Sequence, residues 1–233
     1  MHRRTTILPI GLLALGASAS ASELSYTYVD FRVLSNSVDG SGVQSPTPSQ
    51  QVEAEAGDGD GISVAGSVAL PGRFYLVGAF SSSIIDVENR ITSPLTELVV
   101  EDEFDLITSR FGFGYQRELA PRLDLTFELT YDTGELDFGS LAGESFDTET
   151  SGAGARLGFR WNPREPLELF ASAGASPYGK LLLDERELES GTVLNAGLRW
   201  YFFRDLGVGL DYQSGDLSNV TLSMRFSFGR LPW

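Results

Sequence analysis

Apolar and polar residues alternate with a period of two along most of the chain beyond residue 60. In the clearest stretch the apolar positions are Leu123, Leu125, Phe127, Leu129 and Tyr131, and the polar ones between them are Asp124, Thr126, Glu128, Thr130 and Asp132. Successive side chains of a β-strand point to opposite faces of the sheet. The alternation therefore predicts strands with one apolar and one polar face.

Such strands follow one another in four hairpins, each with a tight turn. The turns are predicted at Pro71-Gly72 and over 118–122, 162–166 and 203–205. A first strand over 24–33 and a last strand over 220–228 bring the total to about ten. The phase of the first strand changes between Tyr28 and Val29, and this leaves eight strands as the alternative count.

The connections alternate in length, which favours a particular architecture. Between the tight turns lie long polar stretches, predicted to be loops, over 34–60, 85–103, 133–151 and 176–190. Short turns at one end and long loops at the other are typical of up-and-down β-barrels that span a membrane. We therefore predict an all-β protein: one closed antiparallel up-and-down transmembrane β-barrel.

The apolar face is predicted to be the outer one. The large apolar side chains of ten strands would overfill a small barrel, whereas the glycines and charges of the other parity fit a narrow lumen. The membrane-facing surface is expected to carry aromatic girdles near the strand ends. The girdle residues are Tyr115, Tyr131, Trp161, Trp200, Phe202, Tyr212 and Phe228.

The first residues have the layout of a secretory signal peptide. Arg3 and Arg4 precede an apolar run over 7–15 and an Ala-x-Ala site over 17–21. We predict a signal peptide over 1–21, cut after Ala21 or alternatively Ala19, and a barrel domain over 22–233. Removing Arg3 and Arg4 leaves 15 basic residues (17 − 2) against 32 acidic ones, about −17 in charge. So acidic a protein is not expected to bind nucleic acid.

The signal peptide, the alternating hairpins and the strand over 220–228 together resemble the small OmpA/OmpX-type outer-membrane barrel superfamily. The resemblance implies a location in the bacterial outer membrane, contact with its lipid and lipopolysaccharide, and assembly by the barrel-assembly machinery. In that superfamily a terminal aromatic residue is read during assembly. Here Phe228 and Trp233 are both candidates for that role.

Charged residues of the polar parity are predicted to form a lattice inside the lumen. They are Arg110, Glu128, Asp132, Arg156, Arg160, Glu168, Arg199, Asp211 and Arg225. Opposite charges in a confined space are stabilised by pairing, which would seal the lumen. The alternative is that the same charges line a narrow path for ions or small solutes.

Enzymatic chemistry is not expected. The chain has no cysteine, and its single histidine, His2, lies in the predicted signal peptide. The barrel enzymes of the superfamily generally depend on a histidine base, the side chain that titrates near neutral pH. Asp184 and Glu185 are a carboxylate pair in a predicted loop, where such groups are usually solvated. We predict no enzyme activity and no cofactor.

The outer loops are strongly acidic, and this suggests where the protein meets its surroundings. Carboxylates such as Glu53, Glu97 and Asp102 could take divalent cations and bridge them to lipopolysaccharide phosphates, or could only keep the surface hydrated. No metal-binding spacing is present. The sequence favours a structural or surface-interaction protein, with a narrow channel and a soluble periplasmic ligand-binding barrel as the alternatives. It does not indicate a ligand.

Overall fold

A computed structural model of the chain shows that β-strands make up nearly all of the described part. The structure describes residues 24–38, 41–47, 50–93, 96–141, 144–182, 187–215 and 217–228. The predicted signal peptide and Trp233 lie outside these ranges. Among the described residues no helix is long and apolar enough to cross a membrane.

Eleven strands follow one another, with one short 3-10 turn over Pro71–Arg73. They are β1 (Thr27–Val38), β2 (Ser41–Thr47), β3 (Gln50–Ala69), β4 (Phe74–Ser93), β5 (Thr96–Ala120), β6 (Leu123–Leu141), β7 (Glu144–Arg164), β8 (Leu167–Leu182), β9 (Glu187–Phe203), β10 (Leu206–Ser214) and β11 (Leu217–Phe228).

Ten of these strands close into an antiparallel barrel. Each strand from β3 to β10 pairs with the next one along the chain, and β1 pairs with both β11 and β3. The extra strand β2 pairs only with the outer part of β3. The predicted ten-stranded up-and-down barrel is confirmed, and eight strands is wrong.

The outer wall is apolar over the whole circumference. Large side chains stand half exposed on every side, among them Phe31, Phe111, Leu129, Leu198 and Leu222. The residues between them in sequence point inward and are mostly polar. The hydrogen-bonding groups of the backbone are paired around the closed ring, which is what a wall surrounded by lipid requires.

The predicted tight turns are confirmed, but the four long loops are not loops. The strands run on through most of the polar stretches: β4 and β5, for example, stay paired as far as Ser93 and Thr96. Nine to eleven tilted residues are enough to span the bilayer, and β5 has 25. Both faces of the outer extensions meet water, so the alternation fades there while the hydrogen-bond ladder continues.

The first strand also differs from the prediction. It covers Thr27–Val38, not 24–33, and its phase does not change at Tyr28. Tyr28 and Asp30 point inward, and Phe31 and Val33 point outward. Apolar side chains lie on the inner face as well, which blurred the pattern in the sequence.

Candidate functional site in the barrel lumen

The lumen contains a polar cavity, called here the chamber. Its volume is about 260 Å³, and side chains of β1 and β3 to β11 line it. Below the chamber lies the end of the barrel with the tight turns, and above it lie the outer hairpins. The groups at these two ends decide whether the lumen can be a pore.

Residues 24–26 cover the lumen at the tight-turn end. Leu24 and Tyr26 are buried and form an apolar cluster with Tyr75 and Val77 of β4. The Tyr26 hydroxyl donates a hydrogen bond of 2.9 Å to Oδ2 of Asp124. The segment before β1 is therefore held inside the barrel mouth by both apolar and polar contacts.

The backbone and a ring of this segment also bind Arg160 of β7. The Nη1 of Arg160 donates to the carbonyl oxygen of Ser25 at 3.0 Å, and its guanidinium lies 4.5 Å from the centroid of the Tyr26 ring. The hydroxyl of Ser25 donates to the carbonyl oxygen of Phe228 at 2.9 Å, at the end of β11. These contacts fasten residues 24–26 to opposite sides of the wall.

Glu168 of β8 is the centre of the charged network above this segment. Its carboxylate is fully buried and accepts hydrogen bonds from Arg160 (3.0 and 3.1 Å), Arg199 (3.3 Å) and the Tyr201 hydroxyl (2.9 Å). Both carboxylate oxygens are engaged. Satisfied charges of this kind are stable in a confined space, whereas losing one partner strands the others.

Asp30 of β1 is the second centre. Arg225, its direct cross-strand neighbour, binds it with two parallel hydrogen bonds of 2.6 and 2.7 Å. Arg32 and Arg199 lie 3.0 and 3.7 Å from the same carboxylate. Arg199 thus reaches both Asp30 and Glu168, and the two centres form one network.

Three further hydrogen bonds lie around the chamber. The Nε of Arg110 donates to Asp132 at 3.2 Å, and the Ser176 hydroxyl donates to the other oxygen of Asp132 at 3.1 Å. The Tyr75 hydroxyl donates to Glu128 at 3.1 Å. Glu128 also stands directly opposite Arg156 in the pairing of β6 with β7.

Apolar side chains lie inside the outer end of the barrel on one side. Ile85 and Phe104 are direct cross-strand neighbours, as are Leu106 and Leu136, and all four are buried. They belong to β4, β5 and β6, whose hairpins rise highest above the membrane band. The chamber is therefore polar between an apolar floor at residues 24–26 and this partial apolar roof.

All nine residues of the predicted lattice lie on the lumen side. Eight of them line the chamber, and Asp132 is buried behind Arg110. Sequence reasoning missed Asp30, Arg32 and Asp124, which belong to the same interior. The alternation over 123–132 does place Asp124 on the polar face. Asp30 and Arg32 were not predicted to face the lumen, because the phase of β1 was misread.

The predicted girdle residues all stand on the outer face. Five of them, Tyr115, Trp161, Trp200, Phe202 and Phe228, lie near the tight-turn end. Tyr131 and Tyr212 lie farther along their strands, toward the outer hairpins. Their role as a girdle stays a prediction.

The acidic loops give no metal site within the described ranges. No group of three or more Asp, Glu, His or Cys side chains there could hold a metal ion. Asp184 and Glu185 lie outside the described residues. For Glu53 the structure describes the backbone and not the side chain.

Comparisons with known proteins find similar structures only. No protein-family model matches the chain, and no curated protein sequence does. The β domain of the Bordetella autotransporter BrkA is 12% identical, with a TM-score of 0.49 over 87% of this chain and 100% of that one.

Two further solved structures resemble the chain to a similar degree. The translocator domain of the autotransporter NalP from Neisseria meningitidis is 16% identical, with a TM-score of 0.44 over 88% of each chain. The outer membrane protein OprG from Pseudomonas aeruginosa is 7% identical, with a TM-score of 0.44 over 88% of this chain and 97% of that one. At sequence identities this low, the function of this chain has to be inferred from its own residues.

Proposed function

We propose that this chain is a non-enzymatic outer-membrane β-barrel protein whose lumen is sealed and whose structural or surface-interaction role is carried by its acidic outer hairpins. The observation that carries the proposal is the network of Asp30 and Glu168 with their arginines across the tight-turn end. Residues 24–26 cover that network from below.

Location in the membrane follows from the outer wall. Phe113, Leu157 and Met224 are examples of large apolar side chains that stand half exposed on different sides of the barrel. Soluble monomers rarely expose contiguous apolar patches of more than a few hundred Å². An apolar belt around a closed barrel is instead what a lipid bilayer stabilises. This weighs against the soluble periplasmic alternative.

A sealed lumen follows from the ion pairs that cross the tight-turn end. A ten-stranded barrel is narrow enough for its side chains to fill much of the interior. Arg160, Arg199 and Arg225 each contact a buried carboxylate, and Arg225 also lies 3.5 Å from the centroid of the Tyr28 ring. An ion crossing this layer would have to break several of these contacts at once.

Catalysis is disfavoured by the same engagement. Glu168 is fully buried and accepts from three neighbours through both carboxylate oxygens, so it is committed to the wall and not presented to a substrate. A general base must reach the proton that it removes. The buried carboxylates therefore serve packing and charge balance.

The outer hairpins provide the surface for other molecules. Glu88, Glu97, Glu101, Asp102 and Glu103 are exposed on the β4–β5 extension. In the proposed setting this acidic surface faces lipopolysaccharide and the medium, directly or through divalent cations. The barrel-assembly machinery would act on the chain before this stage.

Planar-bilayer recording of the refolded protein tests the sealed lumen. We expect no unitary currents from the natural sequence, and we expect currents from the double variant Asp30→Asn with Glu168→Gln. Glu165→Gln is the control, because Glu165 pairs with Arg122 at the exposed turns and not in the lumen. Reproducible unitary currents from the natural sequence would reject the sealed lumen in favour of a narrow channel.

A further inference from the structure

Four carboxamide side chains form a continuous row on the inner wall near its outer end. Asn36 of β1 stands directly opposite Asn219 of β11, Asn219 opposite Gln213 of β10, and Gln213 opposite Asn195 of β9. All four line the chamber. This carboxamide row spans four adjacent strands and offers both donors and acceptors to anything inside.

Arginines lie below the row on the same part of the wall. Arg32 of β1 is opposite Ser223, Ser223 is opposite Gly209, and Gly209 is opposite Arg199 of β9. A Cβ at Gly209 would lie 2.6 Å from the Ser223 hydroxyl and 3.3 Å from the Nε of Arg199, so these two groups occupy the space that a side chain would take there. Arg199 is 2% exposed and Arg32 is partly exposed.

Three buried donors at this place have no acceptor among the described residues. They are the Nε of Arg32, the Nε of Arg199 and the Nδ2 of Asn36; the hydroxyl of Ser223 beside them also has no partner there, and it can donate or accept. A buried donor without an acceptor is costly, and native structures usually supply one from a side chain, a water or a ligand. Because all three groups are donors, the missing partner is rich in acceptors.

The charge of the chamber lining has the sign opposite to that of the whole chain. Six arginines line it: Arg32, Arg110, Arg156, Arg160, Arg199 and Arg225. Three carboxylates do so, those of Glu128, Glu168 and Asp211, while Asp30 and Asp132 are fully buried behind the arginines that bind them. Counted with Asp30 and Asp132, five carboxylates face six arginines, so the interior keeps an excess of one positive charge (6 − 5) inside a chain of formal charge −15.

The row lies beside the lowest part of the outer rim. β10 ends at Ser214 and β11 begins at Leu217, so these two strands have no long extension. The hairpins of β4 and β5 rise much farther on another side of the barrel. A small solute from the outside would reach the carboxamide row first and the arginines next.

We propose that the outer half of the chamber binds a small hydrophilic anion that carries one acidic group and several hydroxyls, of the size of a sugar acid. The acidic group lies against Arg32 and Arg199, and the hydroxyls bond to the carboxamide row. The site is a closed cup, since the network of Asp30 and Glu168 blocks the way below it. Binding and conduction are thus separate properties of the lumen.

Calorimetric titration of the refolded protein in lipid-free detergent tests the site. The probes are glucuronate, glucose as its neutral analogue, and inorganic phosphate. We expect saturable binding of glucuronate, weaker binding of phosphate because it lacks the sugar hydroxyls, and much weaker binding of glucose. Arg32→Gln should weaken glucuronate binding about tenfold, as expected for one lost hydrogen bond to a charged group.

A matched variant separates the site from the general charge of the protein. Arg90→Gln removes the same charge from the β4–β5 extension, where Arg90 pairs with Glu88 outside the chamber, and it should bind glucuronate like the natural sequence. Gln213→Leu should weaken binding through the carboxamide row. Heat-modifiable migration on a gel checks that each variant is folded.

Several outcomes would overturn this proposal. These are no binding of glucuronate by a folded barrel, equal binding of glucose, and an equal loss in Arg90→Gln. None of them touches the sealed lumen, because that claim depends on conductance. Unitary currents with intact glucuronate binding would reject the sealed lumen and leave the anion site in place.

Discussion

Glu168 shows how one side chain can hold the interior together. It has no exposed surface and joins three strands through Arg160, Arg199 and Tyr201. Removing one partner from a buried charge pair is far more costly than removing one from an exposed pair, because the remaining charge stays desolvated. Its stability contribution can therefore be measured against an exposed pair in the same chain.

We predict that Glu168→Ala destabilises the barrel by about 3 kcal/mol, since it leaves two buried arginines short of an acceptor. Urea titration of the refolded protein in detergent or lipid measures the change. Glu165→Ala breaks only the exposed pair with Arg122 and should cost less than about 1 kcal/mol. Equal losses in the two variants would contradict a central role for Glu168.

The inner glycines leave room for large neighbours. A Cβ at Gly114 would collide with the ring of Tyr75, whose hydroxyl binds Glu128. At Gly78, on the outer face of the neighbouring strand, the nearest atom to a new Cβ is 3.8 Å away, which is ordinary contact. The two positions thus form a natural pair for comparison.

Gly114→Val should destabilise the barrel by about 2 kcal/mol, in the range seen for overpacked interiors, because Tyr75 must move away from Glu128. Gly78→Val should have little effect or stabilise slightly, since valine favours strands. The midpoint of thermal unfolding, followed by the gel shift, compares them. A larger loss in Gly78→Val would mean that the faces of β4 and β5 are assigned the wrong way round.

Among the elements, the segment before β1 forms the floor of the lumen and joins it to the barrel wall on several sides. Tyr26 packs on Tyr75 with ring centroids 4.9 Å apart and binds Asp124, while Ser25 bonds to Arg160 and to the last residue of β11. Changes in this segment should act on permeability more than on barrel formation.

Replacing both Leu24 and Tyr26 by Ala should leave the barrel closed but open a leak at the tight-turn end. Release of a small dye from proteoliposomes measures the leak, and the gel shift confirms that the barrel has formed. A matched double change on the outer face, Val29 and Phe31 to Ala, removes comparable apolar groups without touching the floor. Equal leakage from both variants would contradict the sealing role of residues 24–26.

The outer extensions show where the sequence pattern stopped carrying information. The strands inside the membrane band could be predicted because lipid and lumen impose opposite demands on alternate residues. Beyond that band, Glu88 and Glu101 are direct cross-strand neighbours and both meet water, so no alternation marks the ladder between them. The extended strands and β2 could not be read from the pattern for this reason.

The residues of the lumen could be predicted only where the alternation was clear. Arg160, Glu168 and Arg199 could be placed in the lumen because their neighbours on the other parity are large and apolar. Asp30 could not, because Leu24, Tyr26 and Leu34 put apolar groups on the inner side of the first strand as well. The partner of each arginine depends on the register between strands distant in sequence, which a single strand does not reveal.

At the scale of the whole molecule, the barrel has three regions of different character. An apolar belt covers the outer wall, a charged network closes one end of the lumen, and acidic hairpins project from the other. A chain of strongly negative charge holds six arginines in its interior because buried Asp30, Asp132 and Glu168 pair with five of them.

The most direct test of the membrane-spanning barrel is migration of the refolded chain on a detergent gel, with and without boiling. A closed barrel should run as a compact, fast band in the unboiled sample and shift to slower migration after boiling. It should form only when detergent or lipid is present. A chain that folds fully in plain buffer and shows no shift would contradict the account.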